Sequence, residues 1–163
     1  MLVPIAFFVI IQLAAAISDI RKFMIPNWMS LALIAMFPVA FYLSGLDIGH
    51  VYPHLIHFIV AFILGIVLFS IGVIGGGDTK LFAATALWMN GQAGLILYQL
   101  MAFVGGGLSL LVLGLFALDR RNLLGPRGKR LAGHFAGGKL PYGVAIAVGG
   151  IYALTIGDLF QAL

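Results

Sequence analysis

The chain contains no cysteine and no glutamate. Without cysteine, a disulfide framework, a thiolate zinc site and a cysteine nucleophile are all excluded. The five acidic residues are all aspartates, set against nine lysines and arginines, and the formal net charge is +4. Any chemistry that needs a carboxylate side chain therefore depends on one of five aspartates, and each can be considered individually.

Charge of either sign is also scarce. Charged residues make up 9% of the 163 residues, hydrophobic residues make up 63%, and the mean hydropathy is +1.15. This composition predicts an all-α, polytopic membrane protein. The N-terminal apolar stretch has no basic region before it and no small-residue cleavage site after it, so it is interpreted as a span rather than a signal peptide. The basic residues lie in short segments between apolar runs, which argues against nucleic-acid binding.

Six apolar runs are candidate transmembrane helices, since a helix needs about 20 apolar residues to cross the hydrocarbon layer. They cover Val3–Ser18, Trp28–Leu46, Leu55–Ile74, Asp78–Met89, Ala93–Leu118 and Pro141–Leu159. The fourth run is short, because about 12 helical residues rise only about 18 Å. A re-entrant segment is the alternative for this run. No long linker divides the sequence, which predicts one transmembrane domain over residues 1–163.

The distribution of basic residues favours six spans. If the N-terminus is outside, all nine basic residues fall on the inner side, where retained loops carry the Lys and Arg excess. They are Arg21, Lys22, Lys80, Arg120, Arg121, Arg127, Lys129, Arg130 and Lys139. Both termini are then predicted on the outer, periplasmic side. Local thinning of the bilayer, or water reaching Asp78 from inside, would compensate for the short fourth span.

Asp19 and Asp78 are the candidate functional residues. With this topology they share the inner side with Asp119, whereas Asp47 and Asp158 fall outside. Asp19 lies where the first apolar run gives way to charge, and a solvated helix end would also explain it. Asp78 follows three glycines, which predict a flexible or tightly packed turn, and a helix cap is the structural alternative for it.

The two aspartates together suggest acid–base chemistry. If their helices pack together, the carboxyl groups can share a proton, which supplies one acid and one base at the same pH. Peptide hydrolysis by a two-aspartate mechanism needs such a pair: the ionised carboxylate takes a proton from water while the protonated one polarises the scissile carbonyl.

Several short motifs resemble those of the type IV prepilin peptidase family, the aspartic proteases with a GxGD signature. They are Asp19-Ile20-Arg21-Lys22, Ile25-Pro26-Asn27, Gly75-Gly76-Gly77-Asp78 with Thr79 and Lys80, and Pro141-Tyr142-Gly143. The resemblance covers nearly the whole chain in span order. It implies that Asp19 and Asp78 are the catalytic aspartates and that Gly75, Gly77, Lys80, Pro26 and Asn27 support the motif.

The resemblance implies an enzyme of the cytoplasmic (inner) membrane that cleaves the short basic leader of prepilin and pseudopilin-like precursors at the cytoplasmic face. No metal and no cofactor are expected. The cysteine-containing methyltransferase domain of larger members has no counterpart here, so the chain resembles the small peptidases of tight-adherence (Flp-type) pili. An archaeal-type preflagellin peptidase remains an alternative within the same signature. A small proton-coupled transporter that uses Asp19 and Asp78 as a relay, and a noncatalytic assembly subunit, are the alternatives from other classes.

Three further features are given structural interpretations. The segment from Arg120 to Lys139 is predicted to be a flexible basic loop that enforces topology and touches anionic lipid. His50, His54 and His57 could share a helix face, but interfacial positions without a metal are expected for them. Trp28 and Trp88 lie near span ends, as interfacial aromatic residues do.

Overall fold

The structure, a computed structural model, describes residues 2–135 and 140–157. Within these residues the chain forms seven α-helices and no strand. They are α1 (Leu2–Lys22), α2 (Asn27–Ser44), α3 (Val51–Ser70), α4 (Gly76–Ala86), α5 (Gly91–Arg120), α6 (Pro126–His134) and α7 (Tyr142–Leu154), with a 3-10 turn at Ile48–His50 before α3. The prediction of an all-α chain is confirmed.

Four of the helical segments are long and apolar enough to cross a membrane: α1, α2, Ile48–Ser70 and α5. α7 is also apolar but shorter. α3 exposes most of its large apolar side chains, and α5 exposes six of its own, as helices in contact with lipid do. A polytopic membrane protein is therefore confirmed, while the count of six spans and the side of each terminus stay predictions. Lys139, Asp158 and the end of the sixth predicted span lie outside the described residues.

The short fourth run forms the centre of the bundle. α4 has only 11 residues and packs against α2, α3 and α7. Residues 81–89 are all buried, so this segment contacts other helices rather than lipid. Small side chains make the position possible: alanine, glycine and threonine dominate α4 and let neighbouring backbones approach closely. One such contact joins α3 to α4, where the Thr79 hydroxyl donates to the Gly65 carbonyl oxygen at 3.1 Å.

The position of α4 overturns the interpretation of Trp88. This side chain is fully buried, donates its indole N–H to the Leu33 carbonyl oxygen at 3.1 Å, and packs against Phe8 with ring centres 5.0 Å apart. Trp88 is therefore a core residue, and its prediction as an interfacial aromatic residue is wrong. Trp28, at the start of α2, is 56% exposed.

Part of the basic segment after α5 is helical. Pro126 begins α6, where its missing N–H needs no intrahelical partner. At the other end of α6, His134 Nε2 lies 3.0 Å from the Ile20 carbonyl oxygen and its ring contacts that of Phe23. The prediction of a flexible loop is therefore wrong for α6, which lies against the C-terminal end of α1.

Candidate active site

Asp19 lies in the last turn of α1, where this helix meets the start of α7. The side chain is 3% exposed, and its Oδ2 accepts a hydrogen bond from the Gly143 N–H at 2.7 Å. α1 ends soon afterwards, because Phe23 adopts a φ of +48°, the left-handed conformation that often stops a helix. The unsatisfied N–H groups at the start of α7 suit a carboxylate, which places Asp19 at a favourable helix end.

Asp78 is the third residue of α4 and is 6% exposed. Its Oδ2 accepts a hydrogen bond from the Gly75 N–H at 2.8 Å, so the side chain reaches back over the start of its own helix as in a capping box. Its Oδ1 is buried and accepts no hydrogen bond from the described residues. The capping interpretation thus accounts for only one of the two oxygens. Oδ1 takes no part in capping the helix.

The two aspartates lie beside each other in the folded chain. The carboxyl group of Asp78 interacts electrostatically with that of Asp19 and with the Gly143 N–H that Asp19 also accepts from. α7 packs against both α1 and α4, and Gly143 in its first turn interacts with both carboxyl groups. Two neighbouring buried carboxyl groups can share a proton, so that one serves as acid and the other as base.

Gly143 is a site residue whose importance sequence reasoning missed. A Cβ at this position would lie 2.9 Å from Asp19 Oδ2 and 3.0 Å from Asp19 Cβ. Any larger residue would therefore force α7 away from α1 or displace the carboxyl group. The available signal was the Pro141-Tyr142-Gly143 tripeptide, which by itself shows only where a helix can begin.

The supporting motif residues are also brought together. A Cβ at Gly77 would lie 3.1 Å from the Ile25 carbonyl oxygen, so the glycine lets α4 lie directly against the connection between α1 and α2. Across the same contact, Lys80 Nζ donates to Asn27 Oδ1 at 2.9 Å. Pro26 precedes this asparagine in an extended conformation and is the N-cap residue of α2. Motifs about 50 residues apart in sequence therefore form one structural unit.

A model of the type IV leader peptidase family matches residues 6–111, more than half of the chain. The chain belongs to this family. Membership supports a peptidase that acts on prepilin-type precursors, and it favours this class over the transporter and the noncatalytic subunit. No curated protein and no solved structure matches the chain. The matched range includes Asp19 and Asp78, whereas Gly143 lies beyond it.

A cleft of about 600 Å³ leads to one of the two carboxyl groups of the peptidase. Residues 23–27, which join α1 to the start of α2, and residues 72–78, which include the first turn of α4, form its walls together with Leu140. Asp78 lies on the wall, while Asp19 is not among the lining residues. The cleft therefore gives access to Asp78 from outside the helix bundle.

We expect the contact between Lys80 and Asn27 to affect the rate of this peptidase only modestly and to take no direct part in catalysis. Replacing Lys80 by methionine or Asn27 by leucine should lower the rate of leader cleavage by less than about tenfold, since a single hydrogen bond to a charged group is lost. The double variant should be little worse than either single variant, because both remove the same contact. Cleavage kinetics of the three variants, with Lys22→Met as the control for loss of a nearby positive charge, check this. Additive losses would show that the two residues act separately.

The three histidines do not form a cluster. His54 is buried, with Nδ1 3.1 Å from the Leu87 carbonyl oxygen, whereas His57 Nδ1 lies 2.9 Å from the Tyr98 hydroxyl and His50 is exposed. The prediction of an interfacial position is therefore wrong for His54, which packs against the rings of Phe37 and Phe41. Among the described residues, no group of three or more acidic or histidine side chains has the geometry to hold a metal ion.

Proposed function

We propose that this chain is an aspartic endopeptidase that removes the leader of type IV prepilins, with Asp19 and Asp78 as its catalytic pair. The observation that carries the proposal is their convergence: the Gly143 N–H donates to Asp19 and also interacts with the carboxyl group of Asp78, whose buried Oδ1 has no partner among the described residues. A two-aspartate mechanism needs two carboxyl groups close enough to divide the roles of acid and base between them.

The reaction would begin with one carboxyl group ionised and the other protonated. The ionised group takes a proton from a water molecule, whose oxygen then attacks the carbonyl carbon of the scissile peptide bond. The protonated group donates a hydrogen bond to the carbonyl oxygen and, as the C–N bond breaks, a proton reaches the leaving amine. The products are a carboxylic acid and an amine, and one proton again remains on the pair.

The charges around the pair support cleavage at the cytoplasmic face of the inner membrane. Arg21 and Lys22 follow Asp19 at the end of α1, and Lys80 follows Asp78 at the start of α4. α6, which carries three more basic residues, lies against the same end of α1. Because segments that stay in the cytoplasm carry the Lys and Arg excess, this end of the bundle is proposed to face inward and to touch anionic lipid.

The substrate is proposed to be a Flp-type prepilin or pseudopilin-like precursor, a hydrophobic helix preceded by a short leader. The chain is proposed to be a single transmembrane peptidase domain without methyltransferase activity. The support is compositional: no cysteine is present in this sequence, whereas the methylating members that it otherwise resembles carry a cysteine-containing domain. This proposal places the chain in pilus biogenesis.

Purified peptidase in liposomes, incubated with a full-length Flp-type precursor, tests this assignment. We expect mass spectrometry to find the leader removed ahead of the hydrophobic helix and an unmethylated new N-terminus, even with S-adenosylmethionine present. Addition of EDTA should leave the rate unchanged, since the proposed pair uses no metal.

The assay can contradict the proposed mechanism and the proposed lack of methyltransferase activity independently. Loss of activity in EDTA that zinc restores would contradict the two-aspartate mechanism, and a methylated product would contradict the peptidase-only assignment. A preflagellin precursor in a parallel reaction decides between the two substrate classes, because the signature is common to both.

A further inference from the structure

A second set of contacts lies two helical turns away from the aspartate pair, on the same three helices. Gln12 precedes Asp19 by seven residues in α1, Thr85 follows Asp78 by seven in α4, and Gly150 follows Gly143 by seven in α7. Seven helical residues rise about 10 Å, so each of these residues lies about that far from the pair along its helix. Where the three helices meet, these residues form two levels. The aspartate level consists of Asp19, Asp78 and Gly143, and the polar level consists of Gln12, Thr85 and Gly150.

The polar level is fully buried and closely packed. Gln12 Nε2 donates to Thr85 Oγ1 at 2.5 Å, and neither residue is exposed. The Thr85 hydroxyl also donates to the Leu81 carbonyl oxygen of its own helix at 2.8 Å. A Cβ at Gly150 would lie 2.6 Å from Thr85 Cγ2 and 3.3 Å from Gln12 Nε2, so this glycine lets α7 lie directly against the bonded pair.

Two apolar side chains in place of Gln12 and Thr85 would avoid the free-energy cost of burying an unpaired polar atom. Gln12 Oε1 is buried and accepts no hydrogen bond from the described residues, and an unsatisfied buried amide oxygen is unfavourable. Neither side chain titrates, so a proton relay does not explain them. A directional hydrogen bond differs from apolar packing in fixing one register between two helices, as single buried polar residues do in coiled coils.

We propose that the hydrogen bond between Gln12 and Thr85 is a positioning contact that fixes the axial register of α1 against α4 and thereby sets the separation of Asp19 and Asp78. α1 runs toward the aspartate level and α4 runs away from it, so a slide of one helix past the other separates the carboxyl groups directly. A slip by one residue amounts to about 1.5 Å. The role of the contact in catalysis rests on the proposed function, whereas its role in register does not.

Thr85→Val and Thr85→Ser form the matched pair that tests this contact, because valine keeps the shape of threonine and serine keeps its hydroxyl. We expect Thr85→Val to lower kcat on the precursor by about 10- to 100-fold, with KM little changed, since small misplacement of reacting groups has effects of this size. Thr85→Ser should keep kcat near that of the wild type.

The double variant Gln12→Met with Thr85→Val separates positioning from folding. It leaves no orphaned polar group, so its melting temperature should return toward that of the wild type. Its kcat should stay low, because apolar packing does not restore the register. If kcat recovers together with the melting temperature, or if Thr85→Val alone cleaves normally, the contact has only a structural role and the proposal is overturned.

Cross-linking, which does not depend on catalytic activity, tests the register separately from the proposed function. The chain has no cysteine, so Asp19→Cys with Asp78→Cys introduces the only two thiols for a short bis-maleimide in membranes. Cross-linking should be efficient beside an intact Gln12–Thr85 contact and should fall when Gln12→Met is added. Unchanged cross-linking would overturn the register argument even if the wild type cleaves precursors. Reduced cross-linking would uphold it even if no precursor is cleaved.

Discussion

Replacing either Asp19 or Asp78 by asparagine should abolish cleavage of a prepilin precursor. We expect the rate to fall by about 10³-fold or more, since each variant removes a group that gains or loses a proton in the proposed reaction. Combining the two substitutions should add little, because the carboxyl groups act as one unit. Accumulation of unprocessed precursor in cells and cleavage rates in liposomes both measure this loss.

The asparagine variants are well suited to this test because they preserve the structural contacts. An amide oxygen can still accept from the Gly143 N–H in place of Asp19 Oδ2, and from the Gly75 N–H in place of Asp78 Oδ2. Both variants should therefore insert in the membrane at normal levels. Asp119→Asn is the matched control, since it removes a carboxylate near the end of α5 that has no part in the proposed pair, and should cleave normally. Normal cleavage by either site variant would exclude the proposed mechanism.

Gly143→Ala should cause the second-largest loss. The added methyl group would lie 2.9 Å from Asp19 Oδ2 and 3.0 Å from Ile25 Cδ1, so α7 or Asp19 must move by a few tenths of an ångström or more. We expect kcat to fall by about 10²-fold, because displacement of one carboxyl group disturbs the geometry shared with Asp78. Binding of the precursor should change little, since Gly143 does not line the cleft.

Gly114→Ala provides the control for adding a methyl group to a glycine in a membrane helix. A Cβ at Gly114 would meet no atom of the described residues within 4 Å, so this variant should cleave and express like the wild type. If both glycine variants have the same activity, the close contact between Gly143 and Asp19 does not control the reaction. Expression levels and melting temperatures measured for both variants distinguish a displaced carboxyl group from a misfolded bundle.

Much of the fold could be predicted from the sequence because lipid imposes a simple rule. A segment that crosses lipid must satisfy its backbone hydrogen bonds internally, so long apolar runs become helices, and α1, α2, α3 and α5 follow the predicted runs closely. The same rule made the short fourth run difficult to interpret. Its apolar composition suits a lipid-facing span and a helix buried among other helices equally well.

Two incorrect predictions have a common cause. Trp88 lies near the end of an apolar run, as Trp28 does, but α4 is surrounded by other helices and its tryptophan packs in the core. His54, near the start of α3, is buried for a related reason, since its Nδ1 contacts the carbonyl oxygen of Leu87 at the end of α4. Local sequence patterns do not report which helix becomes central. That position depends on contacts between segments that are distant in sequence.

The sequence by itself determined that the chain is an all-helical membrane protein, that thiol and glutamate chemistry are excluded, and that Asp19 and Asp78 are the residues to test. These conclusions depend on composition and local order alone. Only the tertiary structure showed that both carboxyl groups interact with the Gly143 N–H and that Gln12 contacts Thr85 two turns away. Each of these contacts joins residues more than 50 positions apart, and helix packing, which no local pattern encodes, brings them together.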